Sequence, residues 1–155
     1  MRRKDREIKD FDEIYDIVKE CKVCHLAFCE EGTPYVIPLN FGCCLEQGKL
    51  VLYFHGARQG RKIDFVKKNT QVAFSMVKQN QLVVKELACE NSTIYESVCG
   101  EGRIQIVNGD ERLKGLTVLM NQLVEEKEWE FEEKYVNAVA VLKVTVSNVY
   151  GKRKG

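Results

Sequence analysis

LVLYFHGARQGRKIDFVKKN, residues 50–69, is an apolar run that breaks at His55-Gly56-Ala57 and passes through Gly60 into a basic helical start at Arg61-Lys62. The first six residues have the composition of a buried strand, and Ile63, Phe65 and Val66 give the following segment an apolar side opposed to Lys67-Lys68. Gly56 and Gly60 permit a tight turn and close backbone approach. The first turn of a helix carries N–H groups without intrahelical acceptors, and these attract anions. Arg61 and Lys62 fall where such an anion would lie, so the stretch has the makings of a phosphate seat. It is shorter than a Gly-rich P-loop and does not match G-x-G-x-x-G. An ordinary connection ending in a solvated basic helix start has the same local pattern.

The segment upstream, Pro34-Tyr35-Val36-Ile37-Pro38-Leu39-Asn40-Phe41-Gly42, reads as part of a strand running from Tyr35 to Cys44. Pro38 cannot donate to a ladder, so it marks an edge, a bulge, or a place where something other than a strand lies alongside.

The chain has 155 residues, 45% of them hydrophobic and 30% charged, and its formal net charge is +1. These values suit one soluble domain with a real core, and they leave no overall field to draw the molecule to nucleic acid or an anionic membrane. No apolar run approaches the ~20 residues of a spanning helix, and MRRKDREIKD lacks the apolar core of an export signal. A cytoplasmic location is expected. The seven cysteines are an odd number, which with that location favours reduced thiols over a disulfide framework. Cys21-Lys22-Val23-Cys24-His25 fits the C-x-x-C-H of covalent haem attachment, which requires export. Zinc ligation would have to recruit Cys43 and Cys44, adjacent residues that point to opposite faces of a strand. Burial of small side chains is the plainer expectation, and no metal is assigned.

Along the chain, Phe11, Ile14, Tyr15 and Val18 have helical spacing behind Asp10, which with Glu13 resembles a capping box. Val23–Cys29 is expected to form a strand, Gln71–Lys78 another, and Gln79–Thr93 a loop, although Leu82-Val83-Val84 could extend a strand. Ile94–Val107 follows as a long strand bent at Gly100 and Gly102. Asp110 is a candidate N-cap for a helix whose Leu113, Leu116, Leu119, Met120 and Leu123 form an apolar stripe, of the kind that covers a barrel mouth or packs on a partner subunit, with core packing the plainer use. An acidic connection, EEKEWEFEEKY, leads to a last strand, Val136–Val149, apolar enough for burial on both faces. Lys152-Arg153-Lys154 is then a solvated tail. Six strands and three helices joined by turns predict a mainly antiparallel barrel decorated by helices.

PYVIPLNFG and LYFHGARQGRK together resemble the pyridoxamine-phosphate-oxidase-like FMN-binding split barrels, in particular the branch related to nitroimidazole-resistance proteins. MRRKDREI and Tyr95-Glu96-Ser97-Val98-Cys99-Gly100-Glu101-Gly102 share the likeness, so it spans nearly the whole chain. The resemblance implies a six-stranded split β-barrel and a homodimer with FMN at the subunit interface. It implies that Arg61 and Lys62 hold the phosphate, with Gly56, Ala57 and Gly60 keeping the approach open. By the same resemblance Ile37, Pro38, Leu39 and Asn40, with Tyr53, Phe54 and His55, line the ring system, and Tyr95 and Ser97 reach the partner's flavin. His55 is the candidate catalytic residue, able to orient a substrate or donate a proton; a structural histidine bonded to backbone is the alternative. The implied activity is FMN-dependent reduction of nitroaromatic or other small electron-poor substrates. Flavin binding without catalysis, and haem binding or degradation through His55 or His25, stand as alternatives. No Ser/His/Asp set or paired carboxylates suggest hydrolysis.

Overall fold

In a computed structural model, described for residues 3–124 and 127–155, the chain forms eight strands and four α-helices. Met1 and Arg2 of the opening stretch, and Glu125 and Glu126 of the acidic connection, lie outside the described residues. In chain order the elements are β1 (Glu7–Ile8), α1 (Phe11–Glu20), β2 (Val23–Glu30), β3 (Thr33–Asn40), β4 (Gly42–Glu46) and β5 (Lys49–Ala57). There follow α2 (Arg61–Lys68), β6 (Gln71–Val83), β7 (Ser92–Val107), α3 (Gly109–Leu123), α4 (Glu133–Ala138) and β8 (Val139–Lys154).

All the strand pairings are antiparallel, in the order β3-β2-β6-β7-β8-β5-β4, with β1 on β8. The two ends of this path, β3 and β4, are separated in sequence by Phe41 alone. A sheet whose outer strands are joined by one residue must curl round on itself, and the result is a split barrel. Phe41 sits fully buried at the seam, its ring 6.2 Å from that of Phe54. The expected single strand Tyr35–Cys44 is therefore two strands, because the chain leaves one sheet end at Asn40 and enters the other at Gly42.

The barrel interior is filled by alternate residues such as Leu26, Leu52, Phe54, Met76, Val98, Ile104, Leu142 and Val144. Ile14, Ile17 and Val18 of α1 and Ile63, Phe65 and Val66 of α2 belong to the same core. A second core lies outside the barrel wall, where Leu116 of α3 meets Val51, Tyr53, Val107 and Val141. The α3 stripe thus covers the outer wall rather than a mouth, and β5 and the start of β8 are buried on both faces, as their apolar runs predict. Tyr53, fully buried, meets α3 at Gly115, where a Cβ would stand 2.6 Å from Tyr53 Cδ1 and 2.8 Å from Val141 Cγ1.

Further expectations are corrected. The segment from Gln79 is strand as far as Val83, paired with the start of β7, and a short 3-10 turn over Ala88–Glu90 follows. The final strand begins at Val139, after α4, and includes Lys152-Arg153-Lys154, which pair with Tyr95–Ser97 instead of forming a solvated tail. Arg153 binds Glu96 at 2.5 Å and Glu13 at 3.0 Å, tying the strand end to α1. With Glu13 so engaged, Asp10 caps α1 through the Asp12 N–H alone. Asn108, not Asp110, occupies the N-cap position of α3, so the helix opens at Gly109, two residues earlier than expected, and Gly109 itself has a left-handed φ of 56°.

Candidate anion and cofactor site

Strand β5 ends in Phe54-His55-Gly56-Ala57, and α2 opens four residues later. Gly60 precedes the helix with φ 110°, a conformation that side-chain-bearing residues avoid. Its carbonyl accepts from the Ile63 and Asp64 N–H groups at 2.9 and 3.2 Å, so the N–H groups of Arg61 and Lys62 have no acceptor inside the helix. The loop is held in place by Arg58, whose Nη1 donates to the Asn137 carbonyl at the end of α4 (3.0 Å).

Lys62 lies half-buried above this turn. A Cβ at position 56 would fall on its Nζ, so the glycine makes the room that the ammonium occupies. Burial pulls the Lys62 ammonium below the ordinary lysine range, and no carboxylate offsets that effect. A desolvated cation beside open helical N–H groups is a site that an anion completes.

The two adjacent cations diverge. Arg61 lies over the rings of Tyr35 and Phe65, 4.6 and 5.5 Å from their centroids, and borders a groove with Glu30, Thr33 and Asp64. Lys62 alone overlies the glycine turn.

Of the other residues singled out in the sequence, Ile37 and Leu39 are half-buried and pack on the barrel core, while Pro38 and Asn40 are exposed. Pro38 pairs with His25 in β3, the edge strand of the sheet. The Asn40 amide donates to the Lys22 carbonyl at 2.9 Å, which engages one of its hydrogens. Tyr53 and Phe54 are wholly buried on opposite faces of β5 and have only backbone to offer a ligand. Ala57 is exposed and pairs with Val139.

His55 is exposed and lines a cavity of about 330 Å³ with Leu116, Leu119 and Met120 of α3 and Phe131 of the acidic connection. Tyr95 and Ser97 are not brought to the seat. They face outward on β7 opposite Lys154 and Lys152, whereas His55 pairs with Val141 at the other end of β8.

Cys21 and Cys24 are buried, and burial pushes their thiols up to about 11 and 12. His25 leaves the opposite face of β2 from Cys24. Among the described residues no group of three or more His, Cys, Asp and Glu side chains can hold a metal ion.

Two polar clusters were not legible from spacing. Glu46 accepts from the Tyr53 hydroxyl at 2.8 Å and pairs with Lys114 and Lys143 at 2.5 and 2.8 Å. Burial alone would raise its pKa, but these hydrogen bonds outweigh it and hold the carboxyl at about 2. Gln122, buried, turns its amide to the Val18, Lys19 and Cys21 carbonyls at 3.0, 2.8 and 2.9 Å, satisfying the C-terminal end of α1 from α3.

An antiparallel split barrel with a candidate anion seat at a strand-to-helix turn defines the class. The chain belongs to the pyridoxamine 5'-phosphate oxidase family, whose profile matches residues 10–153. It is similar to a candidate 5-nitroimidazole antibiotic resistance protein of Bacteroides thetaiotaomicron, with 28% identity over 94% of this chain and 85% of that one and a TM-score of 0.80. Its fold is also that of a FAD- and haem-binding protein of Mycobacterium smegmatis (18% identity, 96% and 73% covered, TM-score 0.82). A flavocytochrome of Azotobacter vinelandii shares it too (19%, 100% and 72%, TM-score 0.80). No curated protein matches the chain. None of the helices in the described residues is long and apolar enough to cross a membrane.

Proposed function

We propose that this protein binds FMN and serves as a flavin-dependent oxidoreductase of small electron-poor compounds, nitroaromatics among them. The observation that carries the reading is Lys62, desolvated and with no ion-pair partner among the described residues, over Gly56 and beside the open N–H groups of α2. A phosphate monoester fits that seat by charge and by hydrogen bonding. The family and the 28% identical nitroimidazole-resistance relative add support, as do neighbours of the same fold whose names record flavins.

A bound flavin supplies the hydride or electron transfer. The chain's part is to bind and orient. Lys62 and the α2 N-terminus hold the phosphate, Arg61 stands over Tyr35 beside them, and the Ile37–Asn40 edge and the β5 backbone flank the rings. His55, exposed one residue before the glycine turn, holds or moves a proton at a ring nitrogen.

The site is proposed to be shared by two chains. Tyr95 and Ser97 lie at the far end of β8 from His55, so a second copy is what brings them to a flavin. The outward face of the sheet suits such a partner: Val36, Val77 and Tyr150 are half exposed or more on three of its strands. Seven free thiols are in keeping with a reducing, cytoplasmic setting.

The visible spectrum of protein purified without added cofactor tests the reading. Flavin bands, bleached by a reduced nicotinamide or by dithionite and restored by a nitroaromatic, are the expected result. A Soret band, or no flavin uptake at micromolar FMN, would overturn it.

A further inference from the structure

The cavity beside His55 is distinct from the anion seat. Side chains at positions 55 and 56 leave opposite faces of β5, and while Gly56 lies under Lys62, His55 turns toward α3 and α4. The walls are apolar: Leu116, Leu119 and Met120 on one side, Val136 and Val139 on the other. Phe131 closes over them and also packs on the outer core. The connection that carries it is fastened to α3 by Trp129, whose indole N–H donates to Asn121 Oδ1 at 2.6 Å. Tyr135, largely exposed, stands at the edge.

Among the described residues, the polar side chains of the lining are His55, Tyr135 at the edge, and the acidic Glu130 and Glu132. The volume, about 330 Å³, is that of a small-molecule pocket able to take one or two rings. An occupant must therefore be small, mostly apolar and flat enough to lie against Phe131. It gains from a hydrogen-bonding group aimed at His55, and it meets negative charge at the rim.

We propose that this cavity binds a one- or two-ring aromatic compound that is neutral or cationic, and that it discriminates against the carboxylate of the same shape. The inference rests on the flavin reading for its purpose, since the occupant is then the electron acceptor, but the site itself stands on the cavity.

Calorimetry on the whole protein with three probes of one skeleton tests it: 1-naphthylmethylamine, 2-naphthol and 1-naphthoate. The amine and the phenol should bind saturably and the naphthoate about tenfold more weakly or not at all, the scale of one Coulombic contact at partly exposed carboxylates. Met120→Trp, which fills the cavity, should abolish binding of all three. Val136→Trp does the same from the other wall, so that one misfolded variant does not remove the test. Circular dichroism certifies each fold. His55→Phe should weaken 2-naphthol roughly three- to tenfold, the share of one hydrogen bond, and leave the amine's preference over the carboxylate intact.

Naphthoate binding as tightly as the amine overturns the proposal, as does binding that survives both tryptophan variants, or no heat from any probe. Flavin content, read spectroscopically on the same samples, keeps the two readings apart. Probe binding without flavin sinks the oxidoreductase and spares the cavity; flavin without probe binding does the reverse.

Discussion

Lys62 and Gly56 form a unit in which each explains the other. A charge-assisted hydrogen bond contributes about 1.5–3 kcal/mol, and ~1.4 kcal/mol is tenfold in affinity. Lys62→Ala is thus expected to weaken FMN binding by about one to two powers of ten in a fluorescence titration. Riboflavin, with the same rings and no phosphate, should bind wild type poorly and barely notice the change, and Lys67→Ala on the exposed side of α2 should alter neither. Equal FMN affinity in Lys62→Ala and wild type would remove the phosphate from this turn. Gly115 gives a residue-scale test of packing instead of binding. A methyl there meets the buried Tyr53 ring and Val141, neither of which can swing into solvent, so Gly115→Ala should cost about 1–3 kcal/mol in urea denaturation. The proposed phosphate cation stands out in sequence because it follows a glycine turn at a helix start. Its separation from Arg61 does not, since consecutive helical residues diverge by ~100° and only the position of Tyr35 decides where the guanidinium comes to rest.

Helix α3 is fixed to the barrel wall by the charges around Glu46 as much as by its leucines. The Glu46 carboxyl, held at about 2 against an ordinary 4.5, binds its proton more weakly folded than unfolded. Its contribution to stability is complete above the unfolded value, declines as pH falls below about 4.5, and is gone below about 2. Glu46→Gln is therefore expected to lose about 1–3 kcal/mol at pH 7, since Lys114 and Lys143 lose the negative charge they face. The gap from wild type should close as the pH of the denaturation series is lowered from 5 to 2. A gap independent of pH would mean that the carboxylate's charge does not matter to the α3 attachment. Nothing in the local sequence marks Glu46, a residue of a hairpin turn by composition, because its partners come from α3 and β8.

For the whole molecule the decisive question is how many chains make one site. Val36, Val77 and Tyr150 are 57%, 53% and 50% exposed on the outward face of β3, β6 and β8, with Ser97 and Cys99 between them in register. Sedimentation is expected to show a dimer. Val77→Asp combined with Tyr150→Asp should dissociate it by placing charges in the proposed contact, and flavin should be lost with the dimer even though Lys62 is untouched. A monomer that retains full flavin would show the site to be complete within one chain.

The amino-acid pattern by itself determined what is local: the helix at Phe11–Glu20, the strand, glycine turn and basic helix of residues 50–69, and the irregularity of β7 at Gly102, though not one at Gly100. It determined the double burial of the start of the last strand as well, because apolar periodicity and turn chemistry act over a few residues. The likeness of PYVIPLNFG and LYFHGARQGRK to a known family extended that reading to the split barrel. Tertiary structure alone decided the rest. The strand expected over Tyr35–Cys44 became two because closing the sheet at Phe41 stabilises both of its ends. Lys152-Arg153-Lys154 became a strand because Tyr95–Ser97, distant in sequence, pair with them and Glu96 and Glu13 bind Arg153. The cavity beside His55 exists only where α3, α4 and the connection between them meet β5, a juxtaposition set by long-range packing that no window of sequence contains.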